Sequence, residues 1–351
     1  MKALIKFHKV LLKKRFPLTI SRAIRGDSYN LFLSYEKDGL VGWGEAAPGK
    51  SEKAETVEVM QDQLTAFLEG INDLSRTESL NQRAKDMEIA PCAYAALDIA
   101  IWDWKAKKAQ LPLHRLLKLP RPSVPTSITL GIIPAEQVKE RIQIILQNSS
   151  AKALKIKLGS PEGIEADQQM FAQVIESVQK SQLKIRVDAN GGWTTEEAIY
   201  MIKWLSDRGV EYIEQPLEEG KEFDLQYLYT NRPMPIYIDE SCRYSQDVCK
   251  LADYIDGVNM KLMKCGGITE ALLLMKNAQK YKLKTMIGCM SESSVSIAAA
   301  ASLSGGIDQV DLDSHYNLSP DPATGVKMVD GVTLPDFVPG HGGILKPQYH
   351  A

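Results

Sequence analysis

From residue 125 onward the chain repeats one pattern, and that rhythm limits its architecture more than any other feature. Short apolar runs end in a charged residue or a glycine, and a stretch with helical apolar spacing follows. The runs are PTSITLG (125–131), ALKIKLG (153–159), LKIRVDAN (183–190), VEYIEQP (210–216), PIYIDES (235–241), GVNMKLMK (257–264), LKTMIGCM (283–290) and DQVDLDS (308–314). Successive runs begin 22 to 30 residues apart, the length of one strand–helix unit. Segments 195–209 (TEEAIYMIKWLSDRG) and 269–281 (TEALLLMKNAQKY) read as connecting helices, the first stopped by a glycine. Units repeated without a long interruption predict an α/β chain whose strands close into a parallel barrel. An open doubly wound sheet competes, but no GxGxxG follows a first strand.

Residues 1–120 follow no such rhythm. ALIKFHKVLLKKRF and YNLFLSYEKDGLVGWGEAAP read as antiparallel strands, the second turning at KDG, and two helical stretches follow. We therefore expect an α+β capping domain over 1–120, with lid loops near 16–30 and 46–56, and a barrel over 121–319. The irregular tail is expected to fold back, so that 320–351 completes the cap. The 351 residues carry 42 basic and 44 acidic side chains, a balance that argues against a nucleic-acid partner. Five cysteines without CxxC spacing fit reduced thiols, and no apolar run approaches a membrane span. With no apolar leader at the start, a cytoplasmic address is expected.

In such barrels the chemistry gathers where the strands end. Asp188, Glu214 and Asp239 each close a neighbouring run, 26 and 25 residues apart. Alone, each would pass for a helix cap. Together, three converging carboxylates repel one another unless a cation joins them, and an all-oxygen set fits a hard ion such as Mg²⁺. Asn190 and Glu240, beside two of them, are expected to orient ligands. Lys155 and Lys157 share one strand face, so Lys155 is expected to hold a substrate oxygen and lower the pKa of Lys157. Lys261, on the sixth run, faces them across the barrel, which permits proton removal from one side of a carbon and return to the other. Lys264, three residues on, is expected to point elsewhere.

KIK, VDAN, EQP, DES, NMKLMKCGG and GCM, in this order and one per strand, resemble the enolase superfamily. They are most similar to its muconate-lactonizing branch, which includes dipeptide epimerases. VGWGEAAP and ALDIAIWDWKAKKAQLPLHRLL extend the resemblance over nearly the whole chain. It implies a (β/α)7β barrel under an N-terminal cap, one Mg²⁺ per subunit, and the association of copies common in this branch. A lysine base with Mg²⁺ stabilising an enediolate is a known trait of the superfamily. The resemblance further assigns Asp311 and Asp313 to the free amino group of a dipeptide. Thr129 and the chain around Cys289, Met290 and Ser291 would line the substrate. The implied reaction is proton transfer at the α-carbon of the C-terminal residue of an L-Ala-Xaa dipeptide. Arg22 and Arg25, in the 16–30 loop, point to L-Ala-L-Glu first and Ala-hydrophobic dipeptides next. A cycloisomerase or o-succinylbenzoate synthase of the same branch offers no ammonium to Asp311 and Asp313. A Schiff-base aldolase would need no carboxylate triad, and a non-catalytic binding barrel would not need the motif residues, all of which are present.

Overall fold

The computed structural model describes residues 3–179 and 181–350. Residues 1, 2, 180 and 351, which the expected cap and barrel include, lie outside the described residues.

The N-terminal sheet is antiparallel, with β1 (Leu4–Leu12) and β5 (Leu40–Ala46) on either side of β4 (Ser28–Lys37). Asp38 and Gly39 both have positive φ and join β4 to β5 in a two-residue turn, the geometry that suits the twist of a hairpin. The helix Pro91–Lys108 lies against β5 so closely that a Cβ on Gly42 or Gly44 would meet the carbonyl of Ala100 or Ala96 at 2.0 or 1.9 Å. The spacing in GWGE is thus the footprint of a helix. The 16–30 segment is not a plain loop: Leu18–Ile20 (β2) and Ala23–Arg25 (β3) pair in a small hairpin.

The barrel strands are β6 (Ser127–Leu130), β7 (Ala153–Lys157), β8 (Lys184–Asp188), β9 (Val210–Glu214), β10 (Ile236–Ile238), β11 (Gly257–Lys261), β12 (Lys284–Gly288) and β13 (Gln309–Asp311). Each pairs in parallel with the next, and a bridge between Thr126 and Val310 closes the ring. Register sets the site: Lys157 pairs with Asp188, and Asp188 with Glu214, so these three side chains finish level at one mouth.

Helices follow the first seven strands. The one at Thr195–Ser206 begins with a reciprocal cap between Thr194 and Glu197. After β9 and β10 the expected amphipathic helices shrink to Leu225–Tyr229 and Val248–Leu251. Pro233 and Pro235 stop the first, and the unit after β10 is the shortest of the series. A 3₁₀ turn at Ser314–Asn317 follows β13, giving the (β/α)7β form. The helix Ser294–Leu303 is buried on every side, as its alanine-rich, unpatterned sequence requires.

The C-terminal segment returns to the first helices and strands: His341 donates its backbone N–H to Asp103 at 2.8 Å, and its Nε2 lies 2.8 Å from the Trp43 carbonyl. No helix among the described residues is long and apolar enough to cross a membrane.

Candidate active site

Asp188 and Glu214 end their strands and Asp239 directly follows β10; all three are buried. One oxygen from each lies within 4.8 Å of the other two. Burial and the neighbouring Asp188 push the Glu214 carboxyl up to about 7. Burial also opposes ionisation of Asp188 and Asp239, but the lysines around them prevail and hold both below the usual carboxylate range. A triad of oxygen donors under this mutual strain fits a small divalent cation, and the donor set favours Mg²⁺ over zinc.

Four ammonium groups serve the triad. Lys155 Nζ lies 2.6 Å from Asp311 Oδ2, 2.7 Å from Glu214 Oε2 and 3.4 Å from Asp188 Oδ2. Lys157 Nζ meets Asp188 at 2.5 Å and Lys261 Nζ meets Asp239 at 2.6 Å. Lys264 corrects the sequence expectation. It turns inward, 2.7 Å from Asp239 Oδ1 and 2.8 Å from the Asn259 carbonyl, because the chain changes from strand to helix at Leu262. Burial lowers the pKa of Lys155, but Asp311, Glu214 and Asp188 outweigh it and raise the group well above its ordinary value. Asp239 raises Lys261 against the same desolvation. Lys155 is thus a fixed cation among carboxylates.

Lys157, Lys261 and the β2–β3 hairpin line one cavity of about 1130 Å³, and the triad adjoins it through the pairs Lys157–Asp188 and Lys261–Asp239. Asp311 and Asp313 line it from β13 and just beyond. Asp311 Oδ2 is held by Lys155, whereas its Oδ1 is buried with no hydrogen-bond partner among the described residues. Asp313 Oδ2 accepts the Thr129 N–H at 2.6 Å, and burial with Asp311 nearby pushes its carboxyl up to about 6. An acceptor without a donor, beside a second carboxyl, is the arrangement that takes an ammonium. Cys289, Met290 and Ser291 line the same cavity, and burial raises the Cys289 thiol well above its usual range.

The two arginines of the 16–30 segment part company. Arg22 donates to the Glu240 carboxylate and the Asn190 carbonyl, so it is a latch between hairpin and barrel. Arg25 is exposed, though its residue lines the cavity rim. Asn190 donates its backbone N–H to Asp188 Oδ1 at 2.8 Å and its amide to Glu240 at 3.2 Å. Sequence reading missed Asn259, whose amide donates to Glu214 Oε1 at 2.7 Å. The signal was present: Asn259 stands two residues before Lys261 on one strand.

Residues 3–118 match the mandelate racemase / muconate lactonizing enzyme N-terminal domain, and residues 137–348 match the enolase C-terminal domain-like family. The chain belongs to the enolase superfamily. It is 60% identical over 346 residues to a hydrophobic dipeptide epimerase of Flavobacteria bacterium (strain MS024-2A), covering 98% of this chain and 99% of that one. It is 53% identical to a hydrophobic dipeptide epimerase of Roseobacter litoralis, covering 97% and 98% of the two chains. Among solved structures, the dipeptide epimerase of Enterococcus faecalis with Mg and L-Leu-L-Tyr superposes with a TM-score of 0.88 at 33% identity, covering 98% and 99%.

Proposed function

We propose that this chain epimerises dipeptides at the α-carbon of the C-terminal residue, with hydrophobic dipeptides as the preferred class. The observation that carries the reaction is the placement of Lys157 and Lys261 on two sides of one cavity, with the carboxylate triad between them. Asp188, Glu214 and Asp239 would hold Mg²⁺, which supplies positive charge to the substrate carboxylate when the α-proton leaves. Lys157 or Lys261 takes that proton at Nζ, and the other returns one to the opposite face. Lys155 stays charged and steadies the developing negative charge. The free acceptor on Asp311, with Asp313, takes the dipeptide ammonium, while Thr129 and residues 289–291 line the peptide. Asn190 and Glu240 orient the first triad carboxylate and the lid.

The side-chain preference rests on two supports. The relatives at 60% and 53% identity act on hydrophobic dipeptides by name, and Arg22 is engaged by Glu240 rather than presented to a substrate glutamate. That places Ala-hydrophobic ahead of the L-Ala-L-Glu favoured by the loop arginines alone. We further infer two units, residues 1–120 with 320–351 as cap and 121–319 as barrel, in a cytoplasmic enzyme whose copies associate. Cleavage of cell-wall peptides would supply Ala-containing dipeptides. The test is incubation with Mg²⁺ and a panel of L-Ala-L-Leu, L-Leu-L-Tyr and L-Ala-L-Glu, followed by chiral analysis. Epimers of the apolar dipeptides at the higher rate are expected. No epimer from any of them rejects the activity, and a faster Ala-Glu rate rejects the preference.

A further inference from the structure

Glu45 and Asn30 belong to the N-terminal sheet, far from the triad in sequence, and both are completely buried. Glu45 lies among donors. Its Oε1 accepts the Asn30 amide at 2.7 Å and the Ser293 N–H at 2.9 Å. Its Oε2 accepts the Ser293 hydroxyl at 2.6 Å and the Ser296 N–H at 3.2 Å. Ser293 and Ser296 open the helix Ser294–Leu303, so the carboxylate also meets the positive end of that helix. The Asn30 amide makes a second bond, to the Ser291 carbonyl at 2.8 Å. One amide therefore ties Glu45 to the segment that lines the cavity after β12.

The same segment is held from its own side. Glu292 accepts the Met290 N–H and the Ser296 hydroxyl, each at 2.5 Å. Lys14, which leads into the lid hairpin, donates to the Ser291 hydroxyl at 2.7 Å. Ser291 is thus gripped at its carbonyl by the sheet and at its hydroxyl by the approach to the lid. A buried carboxylate and amide are costly unless hydrogen-bonded, and here both Glu45 oxygens and the Asn30 amide have partners.

We propose that Asn30 and Glu45 are positioning residues for the reaction: they hold residues 289–293 in the shape that contacts the dipeptide, and so couple the cap to the substrate loop. This rests on the reading that residues 289–291 touch the dipeptide. Losing the bridge loosens the loop without moving Lys157, Lys261 or the triad, so binding suffers and proton transfer does not.

The experiment uses the Mg²⁺-loaded enzyme and Asn30→Ala, with Glu45→Gln as the stronger variant and Leu33→Val, on the opposite face of β4, as a packing control. Kinetics with an apolar dipeptide and amide hydrogen exchange across 289–293 are read together. For Asn30→Ala the expected result is KM raised about tenfold, kcat within about twofold, and faster exchange confined to 289–293. Leu33→Val should lower Tm while leaving KM and loop exchange unchanged. Unchanged loop exchange in Asn30→Ala overturns the clamp, whether or not the wild type turns over dipeptides. Faster loop exchange with unchanged KM in an active enzyme overturns the positioning role. A wild type that epimerises nothing defeats the functional reading instead, and the exchange data still decide the clamp. If Glu45→Gln does not fold, Asn30→Ala decides alone.

Discussion

Two pairs of lysines meet at the barrel mouth, and the chain builds them differently. Lys155 and Lys157 stand two apart on β7, where alternate residues share a face. Lys261 ends β11, and Lys264 reaches the same place from a one-turn helix three residues on. Yet the outcome is parallel. The inner members, Lys155 and Lys264, are 0% and 1% exposed and enclosed by carboxylates and carbonyls, whereas Lys157 and Lys261 are each 6% exposed and line the cavity. Depth, not spacing, divides the pairs: one lysine of each is enclosed with the triad and the other faces the cavity.

That division can be broken at either level. The largest effect belongs to the outer pair: Lys157→Ala and Lys261→Ala should each cut kcat for epimerisation by about 10²–10⁴-fold, measured by chiral chromatography. Lys155→Met and Lys264→Met should act first on the fold. Lys155→Met leaves the buried Glu214 without its cation, so urea unfolding of the metal-free protein should show a loss of about 3–5 kcal/mol, and Lys264→Met a smaller loss because Asp239 keeps Lys261. If the inner variants keep full stability, they do not anchor the triad.

A smaller effect sharpens the substrate side. Burial and Asp311 raise the Asp313 carboxyl to about 6 from 3.8. The sign follows: Asp313 contributes stability that is present below about pH 4 and lost as the pH rises through about 6. Ionised Asp313 binds an ammonium better, so KM should fall between about pH 5 and about pH 7, and Asp313→Asn should flatten that profile. The smallest effect is at the lid. Arg22 is 45% exposed on its side chain, so Arg22→Ala should change KM by no more than about fivefold, in line with about 1 kcal/mol for an exposed pair. A large, selective loss for Ala-Glu would restore Arg22 to the substrate.

What was legible in the chain follows periodicity. The barrel, the triad and the pair 155/157 obey the period of two along a strand or the repeat of strand–helix units, whereas Asp313 already lies beyond the end of β13. Lys264 was not legible, because its inward turn depends on where strand gives way to helix. The contact of Arg22 with Glu240 was not legible for another reason: the two lie 218 residues apart, and no local pattern announces the pairing. Glu45 and Ser293, 248 residues apart, were hidden for the same reason.

The central claim is that Lys157 and Lys261 address opposite faces of one carbon. It is tested most directly by ¹H NMR in D₂O with Mg²⁺, following loss of the α-proton from each epimer of an apolar dipeptide separately. The account predicts that Lys157→Ala exchanges one epimer only and Lys261→Ala only the other, neither yielding the opposite configuration. Both variants exchanging the same epimer, or both exchanging both, would contradict it.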